Sequence, residues 1–190
     1  ASGASVTHHA ACNLRVRNGI SPVYAMVEKG INVGIGMDDK EFGDDKDFIE
    51  ELRLVSKLHR NPSHRLDSAH LKPRHVFSMG TRNGAGILGF EGEIGTLHAG
   101  ARADIVLLDV TRAVEPFVSP AQSPVDLLLY RCGTRDIDKV LVDGKVAVDG
   151  GRVVHVDREK VVSTLAQSLT DTYAEDMESM NVQWKRLRPY

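Results

Sequence analysis

Val33-Gly34-Ile35-Gly36-Met37-Asp38-Asp39 reads as a short buried strand that ends on two carboxylates. An unpaired carboxylate deep in an apolar interior would protonate rather than stay charged. The run therefore brings Asp38 or Asp39 to a strand mouth, where one of them meets water and a loop, or a metal.

Working outward, Ala4–His8 is a brief strand candidate upstream. Gly19-Ile20-Ser21-Pro22 opens a helix, with Ser21 as N-cap and Pro22 in the first turn. Val23, Met26 and Val27 fall at i, i+3 and i+4, so one helix face is apolar, and Lys29-Gly30 stops it. With Ile31–Met37 as the second strand, the order is β-α-β, which implies parallel pairing and a right-handed crossover. The C-terminal mouth of such strands is where barrel enzymes carry reactive groups.

Downstream, Lys40–Lys46 is a polar loop and Asp47 caps a helix, with Glu50 in capping-box spacing. Phe48, Leu52 and Val55, joined by Ile49 and Leu58, mark its buried side. Asn61-Pro62-Ser63 breaks it. Pro73 suits another first turn, Gly80 ends that helix, and Thr81 caps a further one closing at Leu88-Gly89. Residues 93–156 carry a β rhythm: Ala103–Asp109 is a strand candidate, and 138–148 a hairpin on an Asp143-Gly144 turn. In 157–181, Val162, Leu165, Leu169, Tyr173, Met177 and Met180 recur at helical steps.

Composition narrows the class. The 190 residues are 42% hydrophobic and 26% charged, which fits one or two soluble globular domains with a sizeable core. Net charge is -2 and no basic stripe exists, so nucleic acid is not an implied partner. No apolar run approaches the ~20 residues of a membrane helix, so no membrane is implied. Cys12 and Cys132 lie far apart, without metal-type spacing, which fits a cytoplasmic setting. The chain starts at Ala1 with nothing like a signal peptide, and it reads as part of something longer.

Each candidate site residue has a structural alternative. Asp38 can ligate a divalent cation or take a proton, but on spacing alone a capping role outweighs this. Asp39 is the weaker candidate. His8 ends the preceding strand at the same mouth and can bind metal or substrate, or be a satisfied structural histidine; His9 could do either job or none. Asn13 can bind a polar ligand or brace its loop. Cys12 lacks a catalytic context and reads as a small packed side chain. His59, His64, His70 and His75 match no ligand set and read as surface or loop residues. Glu41, Asp44, Asp45 and Asp47 read as a solvated loop and helix start, and Trp184 as a tail anchor. No phosphate loop, serine elbow or Pro-Cys-x-x-Cys signature is present.

The series Thr7-His8-His9-Ala10-Ala11-Cys12-Asn13-Leu14, Asn18-Gly19-Ile20-Ser21-Pro22-Val23, Gly34-Ile35-Gly36-Met37-Asp38-Asp39 and Glu50-Glu51-Leu52-Arg53-Leu54 resembles the amidohydrolase superfamily. The branch it is most similar to holds chlorohydrolases and aminohydrolases, among them guanine, adenosine-type, pterin and triazine deaminases. Thr81-Arg82-Asn83-Gly84-Ala85, Ile94-Gly95-Thr96-Leu97, Ala103-Asp104-Ile105-Val106 and Val142-Asp143-Gly144 extend the likeness over nearly the whole chain.

The resemblance implies an α/β fold: the last strands of a (β/α)8 TIM-type barrel, the C-terminal part of a small β-sandwich, and a C-terminal helix. Residues 1–92 would hold barrel strands seven (4–8) and eight (31–37) with the helices that follow. Residues 93–156 would be the partial sandwich and 157–190 the helix and tail. Asp38 would be the catalytic and metal-binding aspartate of strand eight, and His8 and Asn13 would line the substrate pocket. The implied cofactor is a divalent metal, zinc first and iron as the alternative. The implied reaction is hydrolytic deamination, or dechlorination, of a nitrogen heterocycle such as a purine, pterin or triazine.

Two motifs depart from the family. Gly36-Met37-Asp38-Asp39 stands where Gly-Thr-Asp-Gly is usual, and His8-His9-Ala10-Ala11-Cys12-Asn13 where His-Asn-Pro-x-Ser-Asn is common. The family's other metal histidines and its acid-base glutamate would lie upstream. A whole barrel takes about 250 residues. The expected partners are therefore a heterocyclic small molecule and the N-terminal barrel portion, with homo-oligomerisation left open. The isolated chain is expected to be inactive. The alternative is a non-catalytic accessory subunit, or a barrel half that needs a partner chain.

Overall fold

β-Branched and small residues on either side of an apolar helix produce the expected parallel pair. A computed structural model describes residues 3–38, 46–60 and 70–168. β1 (Val6–His8) and β2 (Val33–Ile35) pair in parallel, with Val6 opposite Val33 and His8 opposite Ile35. Between them lie α1 (Ala10–Arg15) and α2 (Val23–Glu28). α2 starts a residue later than the sequence suggests: Pro22 is its N-cap, and the Ser21 carbonyl accepts from the Val23 amide.

α1 replaces an expected loop. Its N-cap, His9, supplies no side-chain cap, and its first turn carries no acid. The missing cap comes from α3 (Phe48–Leu58), whose Glu51 accepts from the amides of Ala10 (2.7 Å) and Ala11 (3.2 Å). A carboxylate there satisfies two orphan amides and suits the positive end of the helix. α3 itself starts where expected, with Asp47 accepting from the amides of Ile49 and Glu50. Glu50 does not complete a capping box; it pairs with Arg53 one turn on.

α4 (Pro73–Met79) has Pro73 in its first turn, and α5 (Arg82–Ile87) follows Thr81. The Thr81 hydroxyl does not cap α5 but donates back to the Phe77 carbonyl. Val23, Val33, Leu52, Val55, Leu71, Val76 and Met79 form one buried core with Ala10 and Leu129. Leu129 belongs to α6 (Pro124–Arg131), a helix inside a stretch that reads as β. Ser123 caps α6 through the Val125 amide, and Pro124 occupies its first turn. α6 packs on α3 and α4, and Arg53 of α3 donates to the carbonyls of Leu129 and Cys132.

The remaining sheet runs β3 (Ile105–Leu108), β4 (Ile137–Val142), β5 (Lys145–Asp149) and β6 (Arg152–Val153) in that order. β3–β4 and β4–β5 are antiparallel. The β4–β5 hairpin turns on Asp143 (φ 51°) and Gly144 (φ 77°), the left-handed pair that a two-residue hairpin requires.

Residues 1–152 form one compact unit, and 153–190 the other. In the second, 158–168 are helical, with Val162 and Leu165 exposed. Leu169, Tyr173, Met177, Met180 and Trp184 lie outside the described residues, as do Asp39, Glu41, Asp44, Asp45 and His64. Among the described residues, no helix is long and apolar enough to cross a membrane.

Candidate functional site

The parallel register brings the C-terminal ends of β1 and β2 to one mouth, where the Gly36 amide donates to the His8 carbonyl at 3.0 Å. Three residues beyond β2 the chain turns at Asp38, whose φ of 61° lies in the left-handed region that Asp tolerates better than most residues. Asp38 is exposed, as a working strand-mouth carboxylate must be. Its Oδ2 accepts from the Cys12 thiol at 3.0 Å, and its carbonyl accepts from Lys46 Nζ at 2.7 Å. The carboxylate raises the Cys12 pKa, first through that hydrogen bond and then with burial, which keeps the thiol protonated and donating. Cys12 is thus packed, as expected, but its packing brings it against the candidate ligand.

Asn13 sits half-buried in α1, next to Cys12, rather than in a loop. His8 ends β1 as expected, with its ring buried. It is only 3% exposed, and its Nε2 shares a hydrogen bond with His59 Nε2 at 3.0 Å. The two rings meet edge to face with centroids 5.0 Å apart. Among the described residues the ring packs against His59 rather than standing exposed at the mouth. Burial holds both imidazoles below their ordinary pKa. His8 falls to about 4, with His59 and then His9 adding like-charge repulsion.

His59 corrects an expectation, since it too is only 3% exposed rather than a surface residue. The signal for it was in the sequence: Phe48, Leu52, Val55 and His59 step by four, three and four along one helix face. Glu51 was also passed over, although Glu51, Val55 and Leu58 share such a spacing. His70 is exposed and His75 intermediate. His9 lies over Gly36, where a Cβ would collide with its ring, and its Nε2 is 3.1 Å from Thr7 Oγ1. Nδ1 of both His8 and His9 is buried without a hydrogen-bond partner among the described residues.

The donor set fits one corner of a cation site. Asp38 offers hard carboxylate oxygen, and among the described residues no three His, Cys, Asp or Glu side chains are grouped to hold a metal. A separate cleft of about 550 Å³, lined by Glu50, Arg53, Lys57, Arg131 and Arg135 among others, shares no residue with the mouth.

A parallel strand pair, its helical crossover and a carboxylate at the C-terminal mouth define an α/β protein of the kind that carries chemistry at its strand ends. The model of the Amidohydrolase family matches residues 1–147, and the chain belongs to that family. It is 38% identical over 160 residues to the 5-methylthioadenosine/S-adenosylhomocysteine deaminase of Desulforudis audaxviator, covering 84% of this chain and 36% of that protein. Among solved structures it is similar to a zinc-bound adenosine deaminase from Xanthomonas campestris, with a TM-score of 0.78 and 26% identity over 86% of this chain and 36% of that one. It is also similar to the zinc complex of atrazine chlorohydrolase TrzN from Arthrobacter aurescens, with a TM-score of 0.73 and 26% identity over 87% of this chain and 36% of that one. The chain spans about a third of the length of these relatives.

Proposed function

We propose that this chain is the C-terminal part of a metal-dependent amidohydrolase that hydrolytically deaminates, or dechlorinates, a nitrogen heterocycle, most closely an adenosine-like purine. In this reading β1 and β2 are barrel strands seven and eight, β3–β6 belong to a small β-sandwich, and the enzyme works in the cytoplasm. The observation that carries it is Asp38: an exposed carboxylate at a parallel strand mouth, in a chain that is similar to zinc-bound deaminase and chlorohydrolase structures.

Asp38 supplies one oxygen ligand. A bound zinc ion, with iron as the alternative, contributes Lewis acidity that brings the pKa of water toward about 7. The Asp38 carboxylate accepts a proton from the attacking water, and Asn13 contacts the heterocycle from α1. His8 braces the mouth from behind, through His59. The water oxygen would bond to the ring carbon, and the proton taken by Asp38 would pass to the leaving amine, which departs as ammonia; a halide would depart as the anion. Metal ligands beyond Asp38 come from the barrel portion that this chain does not include, because a zinc centre needs three or four.

An alternative reading, a barrel half that serves a partner chain, draws on the β1–β2 sheet having two strands among the described residues, which leaves its edges to be extended by strands of a partner. One experiment separates the two. The chain is expressed alone and joined to the barrel portion of its relatives, and both products are assayed for zinc content and for deamination of adenosine analogues. The enzyme reading expects zinc and turnover only in the joined protein. A joined, folded protein without turnover on any heterocycle favours the accessory role, and turnover by the chain alone contradicts the ligand count.

A further inference from the structure

We infer that Cys12 is a positioning residue for Asp38: its thiol fixes the carboxylate in the orientation from which it ligates a cation, and α1 exists in this form to hold the thiol there. The inference rests on the reading of Asp38 as a metal ligand, and it adds a residue which that reading does not require.

The geometry forms a chain of three contacts. Glu51, buried at 5% exposure in α3, accepts from the amides of Ala10 and Ala11 and so fixes the first turn of a helix that lacks a cap of its own. Ala10, fully buried in the core, leaves that turn no room to slide. Two residues after Ala10, Cys12 is 7% exposed, and its Sγ lies 3.0 Å from Asp38 Oδ2. Asp38 stands beyond the last hydrogen-bonded residue of β2, so the strand ladder does not define its side chain. A hydrogen bond from a buried donor restricts the rotamers open to an exposed carboxylate. Such outer contacts to a ligand commonly change metal affinity by about 10–100-fold. A serine hydroxyl is a donor of similar reach on the same Cβ, so it should do the same work.

The test uses the chain joined to the barrel portion of its relatives. Zinc affinity is read by competition with a chromophoric chelator, alongside kcat, KM and the melting temperature. Cys12→Ala should weaken zinc binding about tenfold and lower kcat while KM stays within about twofold. Cys12→Ser should restore both affinity and kcat to within about threefold of the parent. If Cys12→Ala melts too low to load, Cys12→Val, which fills the space without a donor, takes its place with the same expectation. Parental zinc affinity in Cys12→Ala or Cys12→Val overturns the inference, as does a Cys12→Ser variant that fails to recover. Asp38→Asn is run beside them. If it keeps the parental affinity, the ligand reading itself fails, and the inference falls with it for a separately visible reason.

Discussion

The strand mouth around Asp38 and the β4–β5 hairpin are held in opposite ways. At the mouth, each defining contact crosses a long stretch of chain: Cys12 to Asp38, Ala10 to Glu51, His8 to His59. In the hairpin, register follows from two adjacent residues, Asp143 and Gly144, and Val142 pairs with Lys145 directly across them. The mouth is polar, and exposed Asp38 rests on buried partners that include Cys12, Glu51, His8 and His59. The hairpin is local, with Val142 and Val146 exposed. Binding chemistry needs the first arrangement, because a carboxylate is aimed only by partners that are themselves fixed.

The contrast can be broken or sharpened by measurement, and the largest expected effect is the response to acid. His8 is held at about 4 in the folded chain against 6.5 when unfolded. Above pH 6.5 both states are neutral there and stability is unaffected. Between 6.5 and 4 the unfolded chain takes the proton first, so stability falls as pH falls, by about 3 kcal/mol in all. Below 4 the His8 share of the loss levels off. Urea melts from pH 7.5 to 4 should show this slope, and His8→Gln should flatten it. An unchanged slope in His8→Gln would remove the histidine pair from the account.

Glu51→Leu comes next. It strands two helix amides, one on a fully buried residue, and should cost about 2 kcal/mol in a denaturant melt. Glu51→Gln, which keeps an acceptor, should cost clearly less. A smaller loss, about 1 kcal/mol, is expected for Gly144→Ala in the hairpin, where φ is 77° and a Cβ is strained. At the low end, Lys139→Met removes an ion pair to Asp149 that is largely exposed and should leave the melt within about 0.5 kcal/mol. A hairpin variant as costly as Glu51→Leu would erase the distinction between the two regions.

The same division explains what could be read in advance. The β1–α2–β2 order, the Asp47 cap, Pro73 at the head of α4 and the Asp143-Gly144 turn all rest on neighbours in sequence, and each was legible there. α1 was not, because its cap arrives from Glu51 on another helix. α6 interrupts a stretch whose hydrophobic rhythm is β, and its local signal is the Ser123-Pro124 pair at its start. Asp38 was identified as the mouth carboxylate, but its thiol partner was not: nothing local ties residue 12 to residue 38. His8 at the end of β1 is legible in the sequence, but its contact with His59 is not, because His59 follows the far end of α3.

The most direct test of the account is a crystal structure of the zinc-loaded, completed barrel, with anomalous differences collected at the zinc edge. The account predicts an Asp38 carboxylate oxygen about 2.0–2.2 Å from the metal, with Cys12 still on the same side chain. A fully ligated zinc ion whose protein ligands all lie outside these 190 residues would contradict it.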